Sequence, residues 1–406
     1  MSAVTESVDF DLKDPEFRKN PYPKYQELRE NHRIFWHEGF NAYVVPRYDD
    51  VVEVLKSSKW HVRPGSNFLE RQHAANETVD QIMQGFYYFL DDPAHRRLRS
   101  IVSTTFTPRI VTNFRARIEE IANELLDNSL GKRGEMEFMS DLAYPMTIRV
   151  VTEILGASTE EDQKFFYDKG WALAGLLEWD APNERVNLAG ESMLEISNRF
   201  VDILESRLDQ PRNDLVSALI QAHADGRASD SFEIIFMCVL LVTVGYETTM
   251  NHLANGMHSL LTNRDQFERL QREPEIISAA VDELLRHEAP VQVTARKAME
   301  DIDVAGTTIR KGEMVVVLLG GSNRDPSVFA DPDRLDLTRA NANRHMTFAH
   351  GPHFCLGAAL AKTEAEVVFS ALAQRFPNVR IGDEPVWRDT AILRSLDKLP
   401  LTLKES

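Results

Sequence analysis

The sequence predicts a mainly α-helical protein with a small β region. Apolar residues recur at three- and four-residue intervals over several long stretches, which is typical of helices with one buried face. Short β-branched runs are few and lie toward the two ends of the chain. The 406 residues contain no glycine-, serine- or proline-rich linker and no internal repeat, so we expect one domain over residues 1–406.

Each predicted element has its own signal. A short apolar run predicts a first strand at 42–45, and two more strands are expected at 302–304 and 314–319, separated by Gly306 and Gly312. Glycine or proline ends each helical stripe, as expected at helix C-termini. The stripes are Phe114 to Leu125 before Gly131, Phe200 to Leu208 before Pro211, and Leu215 to Ala222 before Gly226.

Composition limits the class of protein. Two cysteines rule out a disulfide scaffold and fit a reducing compartment, and residues 1–15 lack the basic and apolar regions of a signal peptide. The longest apolar run, residues 234–244, is shorter than the roughly 20 residues that span a bilayer, so it predicts a helix buried on all sides. A net charge of -17 argues against nucleic acid as a partner. We expect a cytoplasmic enzyme that binds no membrane.

A single cysteine stands in a glycine-punctuated loop, residues 348–357, just before a predicted helix at 358–376. Amides at a helix N-terminus lower the pKa of a nearby thiol, so Cys355 is a candidate metal ligand. Gly351 and Gly357 let the backbone turn and approach a flat partner closely. Two other interpretations are a small buried hydrophobe and a zinc site with nearby histidines. Structural zinc sites use several cysteines, and only Cys238 remains.

This segment resembles the haem-binding loop of the cytochrome P-450 family, Phe-Gly-x-Gly-x-His/Arg-x-Cys-x-Gly. The resemblance covers nearly the whole chain and implies the haem-thiolate fold, a triangular prism, with haem b whose iron is ligated by Cys355. Ala349 stands where the family usually has glycine, which argues against a positive φ at this residue. The matching residues are Phe348, Gly351, His353, Cys355 and Gly357.

A second motif, Gly245-Tyr246-Glu247-Thr248-Thr249, places an acid and hydroxyls in the apolar helix. Such groups cost free energy in a buried helix unless they are partnered, and threonine can open a helix by bonding a carbonyl one turn back. The motif resembles the family's oxygen-activation segment. The resemblance implies that Gly245 leaves room for dioxygen, that Thr248 hydrogen-bonds the activated oxygen, and that Glu247 relays protons. On its own, the motif would be interpreted as a helix-kinking device.

Glu283 and Arg286 stand three residues apart, a spacing that is common on solvated helix faces. Together with Arg339, they resemble the family's Glu-Arg-Arg triad, which implies a structural role behind the haem.

His95 and Arg99 lie one helical turn apart, where the family has a His-x-x-x-Arg pair for the haem propionates. Arginine binds carboxylates through paired hydrogen bonds. Arg296 resembles another propionate arginine, and His353 completes the set. A solvated basic face is the alternative.

A thiolate ligand favours O–O cleavage, so the resemblance implies a monooxygenase. The sequence shows no nucleotide-binding glycine motif, so electrons from NAD(P)H would arrive through a separate ferredoxin and ferredoxin reductase. We expect hydroxylation or epoxidation of a mostly apolar or aromatic small molecule in secondary metabolism. The alternatives are oxidative coupling or rearrangement, peroxide-driven oxidation, and a non-catalytic haem sensor. By resemblance, the candidate substrate contacts are Phe86, Tyr88, Trp171, Leu241, Val244, Gln292, Val293 and Ile392.

Overall fold

A computed structural model describes residues 8, 14–62, 82, 85–103, 108–130, 134–176, 181–227, 231–390 and 392–403. The chain divides into two compact units. The first unit comprises Met1–His61, Glu119–Ala143 and Thr248–Ser406, and the second comprises Val62–Ile118 and Tyr144–Glu247. One functional domain over residues 1–406 stays a prediction.

Fifteen described α-helices carry most of the fold. In chain order they are α1 (Pro15–Lys19), α2 (Tyr22–Asn31), α3 (Tyr48–Lys56), α4 (Ala94–Ser103), α5 (Pro108–Leu130), α6 (Tyr144–Leu155), α7 (Glu160–Gly170), α8 (Asn183–Asp209), α9 (Leu215–Ala224), α10 (Ser231–Gly245), α11 (Glu247–Thr262), α12 (Arg264–Arg272), α13 (Ile277–His287), α14 (Leu319–Ser322) and α15 (Ala358–Arg375).

All the described strands lie in the first unit. They are β1 (Phe35–His37), β2 (Ala42–Val45), β3 (Trp60–His61), β4 (Glu135–Glu137), β5 (Val293–Ala298), β6 (Ile302–Val304), β7 (Thr307–Ile309), β8 (Met314–Leu318), β9 (Arg380–Ile381), β10 (Val386–Trp387), β11 (Leu396–Lys398) and β12 (Pro400–Thr402).

The largest sheet of the first unit has the order β1-β2-β8-β5-β3. Strand β2 pairs in parallel with β8, with Val44 opposite Val316, and β5 pairs antiparallel with β8, with Arg296 opposite Val315. Valines fill the middle of this sheet because β-branched side chains pack well on a pleated, buried surface. The sheet therefore supports Arg296 on a rigid element.

Helix α3 packs on this sheet through an apolar core. Val51, Val54 and Leu55 of α3 share one buried cluster with Val315 and Val317 of β8. Burial of such side chains contributes roughly 1.5–3 kcal/mol each. This packing fixes the C-terminal end of α3, which contacts the loop that carries the predicted metal ligand.

The secondary-structure elements described in the second unit are all helices. Helices α7 and α8 meet through Phe166 and Phe200, whose ring centroids are 5.3 Å apart. Arg207 of α8 binds Asp214 at 2.6 Å, and its other nitrogen donates to the Gly156 carbonyl at 2.6 Å. These contacts tie α6, α8 and α9 into one body.

The three predicted strands are present, within one residue at their ends, and the predicted helices are present, although α5 and α8 begin at Pro108 and Asn183, well before the predicted stripes. The sequence did not predict the short strand β7, because its three residues, Thr307–Ile309, lie between two glycines and resemble a turn. It forms a hairpin with β6, so β6 does not pair with β8.

One stretch of the described chain, Ser231–Thr262, is long and apolar enough to cross a membrane by length and composition. In the structure, 67% of its most apolar window is buried in the protein, which is typical of a core helix. The prediction that residues 234–244 are buried on all sides is wrong at its end, because Val244 is 37% exposed.

Candidate active site

The cysteine loop, residues 348–357, runs from the first unit's irregular region into α15. The backbone N–H of Cys355 donates to the Phe348 carbonyl at 3.0 Å, which closes the loop. Gly351–His353 form one 3-10 turn, and Gly357 caps α15 at its N-terminus. Cys355 is exposed and lies three residues before the helix begins. A thiol in this place lies near the positive end of the helix dipole.

Two residues of this loop have left-handed backbone. Gly351 has φ +73°, and a Cβ there would lie 2.4 Å from the Leu55 carbonyl oxygen of α3. Ala349 has φ +57°, so the expectation against a positive φ at this alanine is wrong. The Ala349 N–H donates to the Met346 carbonyl at 2.8 Å, and this turn compensates for a conformation that costs an L-residue roughly 1–2 kcal/mol.

Glu283, Arg286 and Arg339, here called the Glu283 cluster, meet behind this loop. Arg286 donates to both carboxylate oxygens of Glu283 at 2.7 and 2.8 Å, and Arg339 donates to the same two oxygens at 3.1 Å. The side chains of Glu283 and Arg286 are 0% exposed. Burial lowers the pKa of Arg286, and the Glu283 carboxylate opposes that effect.

Asn323 connects the Glu283 cluster to the cysteine loop. Arg286 donates to the Asn323 carbonyl at 3.0 Å. The Asn323 side chain accepts from Met346 N–H at 2.6 Å and donates to the Thr347 hydroxyl at 2.9 Å. The start of the loop is therefore fixed to α13. Sequence analysis missed Asn323, and no motif marks it, because its partners are more than twenty residues away in the chain.

Asp282 connects residues on both sides of the loop. Its carboxylate lies 2.7 Å from Lys362 Nζ on α15 and 3.5 Å from His345 Nε2. The His345 Nδ1 atom accepts from Thr347 N–H at 3.2 Å, so Nε2 carries the proton and points to Asp282. Burial raises the pKa of Asp282, but the hydrogen bonds from His345 and Lys362 outweigh it and hold this pKa below its usual value.

The predicted propionate ligands are two arginines and two histidines, all buried or half-buried. Arg296 of β5 is 3% exposed, and its guanidinium donates to the Ala295 carbonyl at 2.8 Å. In the second unit, His95 and Arg99 lie one helical turn apart on α4. The His95 ring stacks on the Tyr87 ring, with 6.2 Å between the ring centroids. Burial, and then the charge of Arg99, lower the pKa of His95, although Asp92 opposes the shift. His353 lies half-buried in the cysteine loop.

The second motif coincides with an interruption between two helices. Helix α10 ends at Gly245, Tyr246 forms a bend, and α11 begins at Glu247. The Tyr246 hydroxyl donates to the Gly170 carbonyl at 2.6 Å. Glu247 is fully buried, and Thr248 is half-buried. The break explains how polar groups occupy this apolar stretch, since backbone groups released by a bend can be satisfied locally.

Gly245 has a packing role that the sequence did not reveal. A Cβ at this position would lie 2.9 Å from Val151 Cγ2 of α6. Glycine is therefore required by close helix packing within the second unit. Room for dioxygen on the other side of Gly245 stays a prediction.

The predicted substrate contacts have different environments. Phe86 is 2% exposed and stacks on Phe89, whereas Trp171 is 44% exposed and meets the Tyr144 ring edge at 5.3 Å. Leu241, Val293 and Gln292 are buried, and Tyr88 and Ile392 are half-buried. Gln292 donates from Nε2 to the Ala289 carbonyl at 2.6 Å.

Cys238, the other cysteine, is buried on α10, and burial raises the pKa of its thiol. Within the described ranges, no three His, Cys, Asp or Glu side chains group as a metal-binding cluster.

Comparison with known proteins identifies the family. A family model described as Cytochrome P450 matches residues 15–386. The biotin biosynthesis cytochrome P450 of Bacillus subtilis (strain 168) is 35% identical, over 96% of this chain and 98% of the relative. The 6-deoxyerythronolide B hydroxylase of Saccharopolyspora erythraea is 34% identical, over 97% and 98%.

Among solved structures, P450BioI in complex with hexadec-9Z-enoic acid ligated acyl carrier protein has a TM-score of 0.89 and 35% identity, covering 96% of this chain and all of that chain. The chain belongs to the cytochrome P450 family, and it is a cytochrome P450 monooxygenase. The predicted fold class is confirmed.

The described residues fit the haem that the family implies. The loop offers one exposed thiol at a helix N-terminus, the donor that a haem-thiolate centre needs. Beyond its own chain neighbours and the local helix backbone, no described atom lies within 4 Å of a Cβ built on Gly357, so a flat group can approach the backbone there.

Proposed function

We propose that this monooxygenase hydroxylates or epoxidises a mostly apolar or aromatic small molecule of secondary metabolism, with haem b ligated by Cys355. The observation that supports this most strongly is the cysteine loop. Its thiol is exposed, its start is fixed to α13 through Asn323, and its end is the N-cap of α15. When bound there, the thiolate-ligated haem supplies the chemistry that splits dioxygen.

Cationic and donor side chains would hold the haem carboxylates. Arg296 lies on β5 of the largest sheet, and further donors are His95, Arg99 and His353. A carboxylate taken out of water needs such partners, because an uncompensated buried charge costs several kcal/mol. A ring N–H of His95 can donate a hydrogen bond to a carboxylate in either protonation state of the ring.

Glu247 and Thr248 would deliver protons during oxygen activation. Glu247 is fully buried at the start of α11, directly after the helix break, and Thr248 follows it. General-acid chemistry in a dry site needs a side chain that can bring a proton to the reacting oxygen. The acid and the alcohol at this break supply such a pair.

We also propose that a ferredoxin and its reductase pass electrons from NAD(P)H to the protein, in the cytoplasm. The substrate class follows from the apolar and aromatic character of the candidate contacts and from the relatives, whose names refer to biotin biosynthesis and to a hydroxylase. Oxidative coupling and peroxide-driven oxidation are the competing chemistries.

The proposal is tested by reconstitution. Ligands are first screened by Soret difference spectra, and the best ones are incubated with ¹⁸O₂, NADPH, ferredoxin and reductase. We expect a product that carries one labelled oxygen. A coupled product without labelled oxygen would show that the enzyme catalyses oxidative coupling and not oxygen insertion. Turnover only with added peroxide would show that the reaction does not use the redox partners.

Thr248→Ala tests proton delivery. Haem and substrate binding should remain nearly unchanged, because the substitution leaves no unpaired buried charge. NADPH consumption should continue, but a larger share of the electrons from NADPH should end in hydrogen peroxide and a smaller share in product. Thr249→Ala, at the buried neighbouring residue, is the matched control and should keep its coupling. If Thr248→Ala kept the full product yield per NADPH, the Thr248 hydroxyl would have no role in proton delivery and would only bend the helix.

A further inference from the structure

Two segments that are proposed to contact substrate are bonded to each other in the first unit. They are residues 290–293, between α13 and β5, and residues 392–394, between β10 and β11. Gln292 N–H donates to the Ile392 carbonyl at 2.8 Å, and Arg394 N–H donates to the Pro290 carbonyl at 2.8 Å. Val291 and Leu393 form an isolated antiparallel bridge. The two segments thus behave as one short ribbon, here called the substrate ribbon.

A buried carboxylate lies at the base of this ribbon. Glu288 directly follows α13, and its Oε2 accepts from Arg394 Nε at 3.0 Å and from the Tyr22 hydroxyl at 3.2 Å. Its Oε1 lies 3.6 Å from Arg324 Nη2. The side chains of these ion pairs are 7–11% exposed. Tyr22, Glu288, Arg324 and Arg394 are here called the Glu288 cluster.

Rings cover the two arginines. The Arg324 guanidinium lies 3.5 Å from the Tyr22 ring centroid, and that of Arg394 lies 3.6 Å from the Trp387 ring centroid. Cations over aromatic faces are attracted by the ring quadrupole, more strongly when water is excluded. Burial raises the pKa of Glu288, but the charges of Arg394 and Arg324 outweigh it and hold that pKa below its usual value. Glu288 is therefore ionised near pH 7.

The Glu288 cluster joins both halves of the ribbon to the N-terminal helices. Arg394 belongs to one half, and Glu288 stands two residues before the other. Arg394 also donates to the Arg18 carbonyl of α1 at 3.0 Å, and the Arg18 side chain pairs with Asp389 of the β10–β11 loop. Movement of either segment would thus break a charged hydrogen bond in a buried place.

We propose that Glu288 is a positioning residue that fixes the register of the substrate ribbon and thereby sets which ligands the enzyme accepts, without contacting them itself. This inference rests on the proposed function, because it takes Gln292, Val293 and Ile392 as substrate contacts. Loss of the carboxylate charge leaves two buried arginines without their shared counter-ion, so the ribbon should shift or loosen. Haem binding should not change, because the cysteine loop is held by the Glu283 cluster instead.

The experiment compares two probes in the haem-loaded full-length protein. Imidazole is small and depends on access to the haem iron, whereas 1-dodecylimidazole also needs an ordered substrate wall. Dissociation constants come from Soret titrations of wild type, Glu288→Gln and Asp333→Asn. Asp333 is the matched control, since it pairs with the same Arg324 at 2.9 Å but lies 66% exposed.

In Glu288→Gln, the dissociation constant of 1-dodecylimidazole should rise about tenfold, the equivalent of one charged hydrogen bond. That of imidazole and the haem content should stay within twofold of wild type. Asp333→Asn should match wild type for both probes. An unchanged ratio of the two constants in folded Glu288→Gln would overturn the proposal.

Tyr22→Phe removes only the hydroxyl that donates to Glu288, and it decides the matter if Glu288→Gln does not fold. In Tyr22→Phe, the ratio of the dissociation constant of 1-dodecylimidazole to that of imidazole should rise about threefold. An unchanged ratio overturns the inference. The proposed function fails differently. Wild type would then bind imidazole but show no Soret shift with 1-dodecylimidazole or with any other apolar or aromatic ligand.

Discussion

Two buried ionic clusters stand at the C-terminal end of α13, and they hold different parts of the molecule. In the Glu283 cluster, one carboxylate binds Arg286 and Arg339, and a backbone contact through Asn323 leads to the cysteine loop. In the Glu288 cluster, one carboxylate binds Arg394 and lies near Arg324, and the contacts lead to the substrate ribbon. Similar chemistry, five residues apart, therefore serves the proposed haem ligand in one case and the proposed substrate wall in the other.

The difference lies in how completely each cluster is closed. Glu283 and Arg286 are 0% exposed, and Arg286 also donates to carbonyls of Asn323 and Pro332, so its removal disturbs the surrounding backbone. The Glu288 cluster reaches side chains from α2 and from the β10–β11 loop, which can move without unfolding α13. We therefore expect the first cluster to control stability and the second to control ligand selectivity.

The largest expected effect is that of Glu283→Gln. Removing one partner of a buried ion pair typically costs 3–5 kcal/mol, and here two arginines lose their carboxylate. The variant should be expressed largely without haem, and its urea midpoint should fall sharply. Glu275→Gln, an exposed acid just before α13, should match wild type. If Glu283→Gln were folded and haem-loaded but had altered ligand selectivity, the two clusters would not have the different roles proposed for them.

A smaller effect is expected in acid, at a buried histidine of α11. His252 of α11 is 1% exposed, and neither ring nitrogen has a hydrogen-bond partner among the described residues. Burial, with repulsion from His345, lowers the pKa of His252 to about 3. Because the folded pKa lies below the unfolded value of about 6.5, this histidine contributes stability above pH 6.5 that is lost as the pH falls toward 3.

His252→Leu should therefore match wild type within about 1 kcal/mol at pH 7 and exceed it by about 2 kcal/mol at pH 5. Urea unfolding at both pH values measures this difference, with the exposed His223→Leu as control. The Glu288 carboxylate should add little between pH 7 and pH 5, because its pKa is lowered from the usual 4.5 and the stability it contributes is lost only at more acid pH. Equal acid sensitivity of wild type and His252→Leu would assign the loss of stability to other groups.

The sequence predicted the first cluster and not the second for a physical reason. Glu283 and Arg286 are one helical turn apart, so their spacing is visible in the chain, and Arg339 was placed by resemblance. The Glu288 cluster joins residues 22, 288, 324 and 394, whose contacts depend on tertiary packing. The same limit explains Asn323 and the packing of Gly245 on Val151. The helical stripes were visible as local periodicity, and the strand at 42–45 was visible as a short apolar run.

The central claim is that Cys355 ligates haem iron, and the carbon monoxide spectrum of the reduced protein tests it most directly. Wild type should show the long-wavelength Soret band of thiolate-ligated haem. Cys355→Ser should lose that band, and Cys238→Ser should keep it, because Cys238 is buried in the second unit with a raised thiol pKa. A normal thiolate band in Cys355→Ser would contradict the assignment of this cysteine.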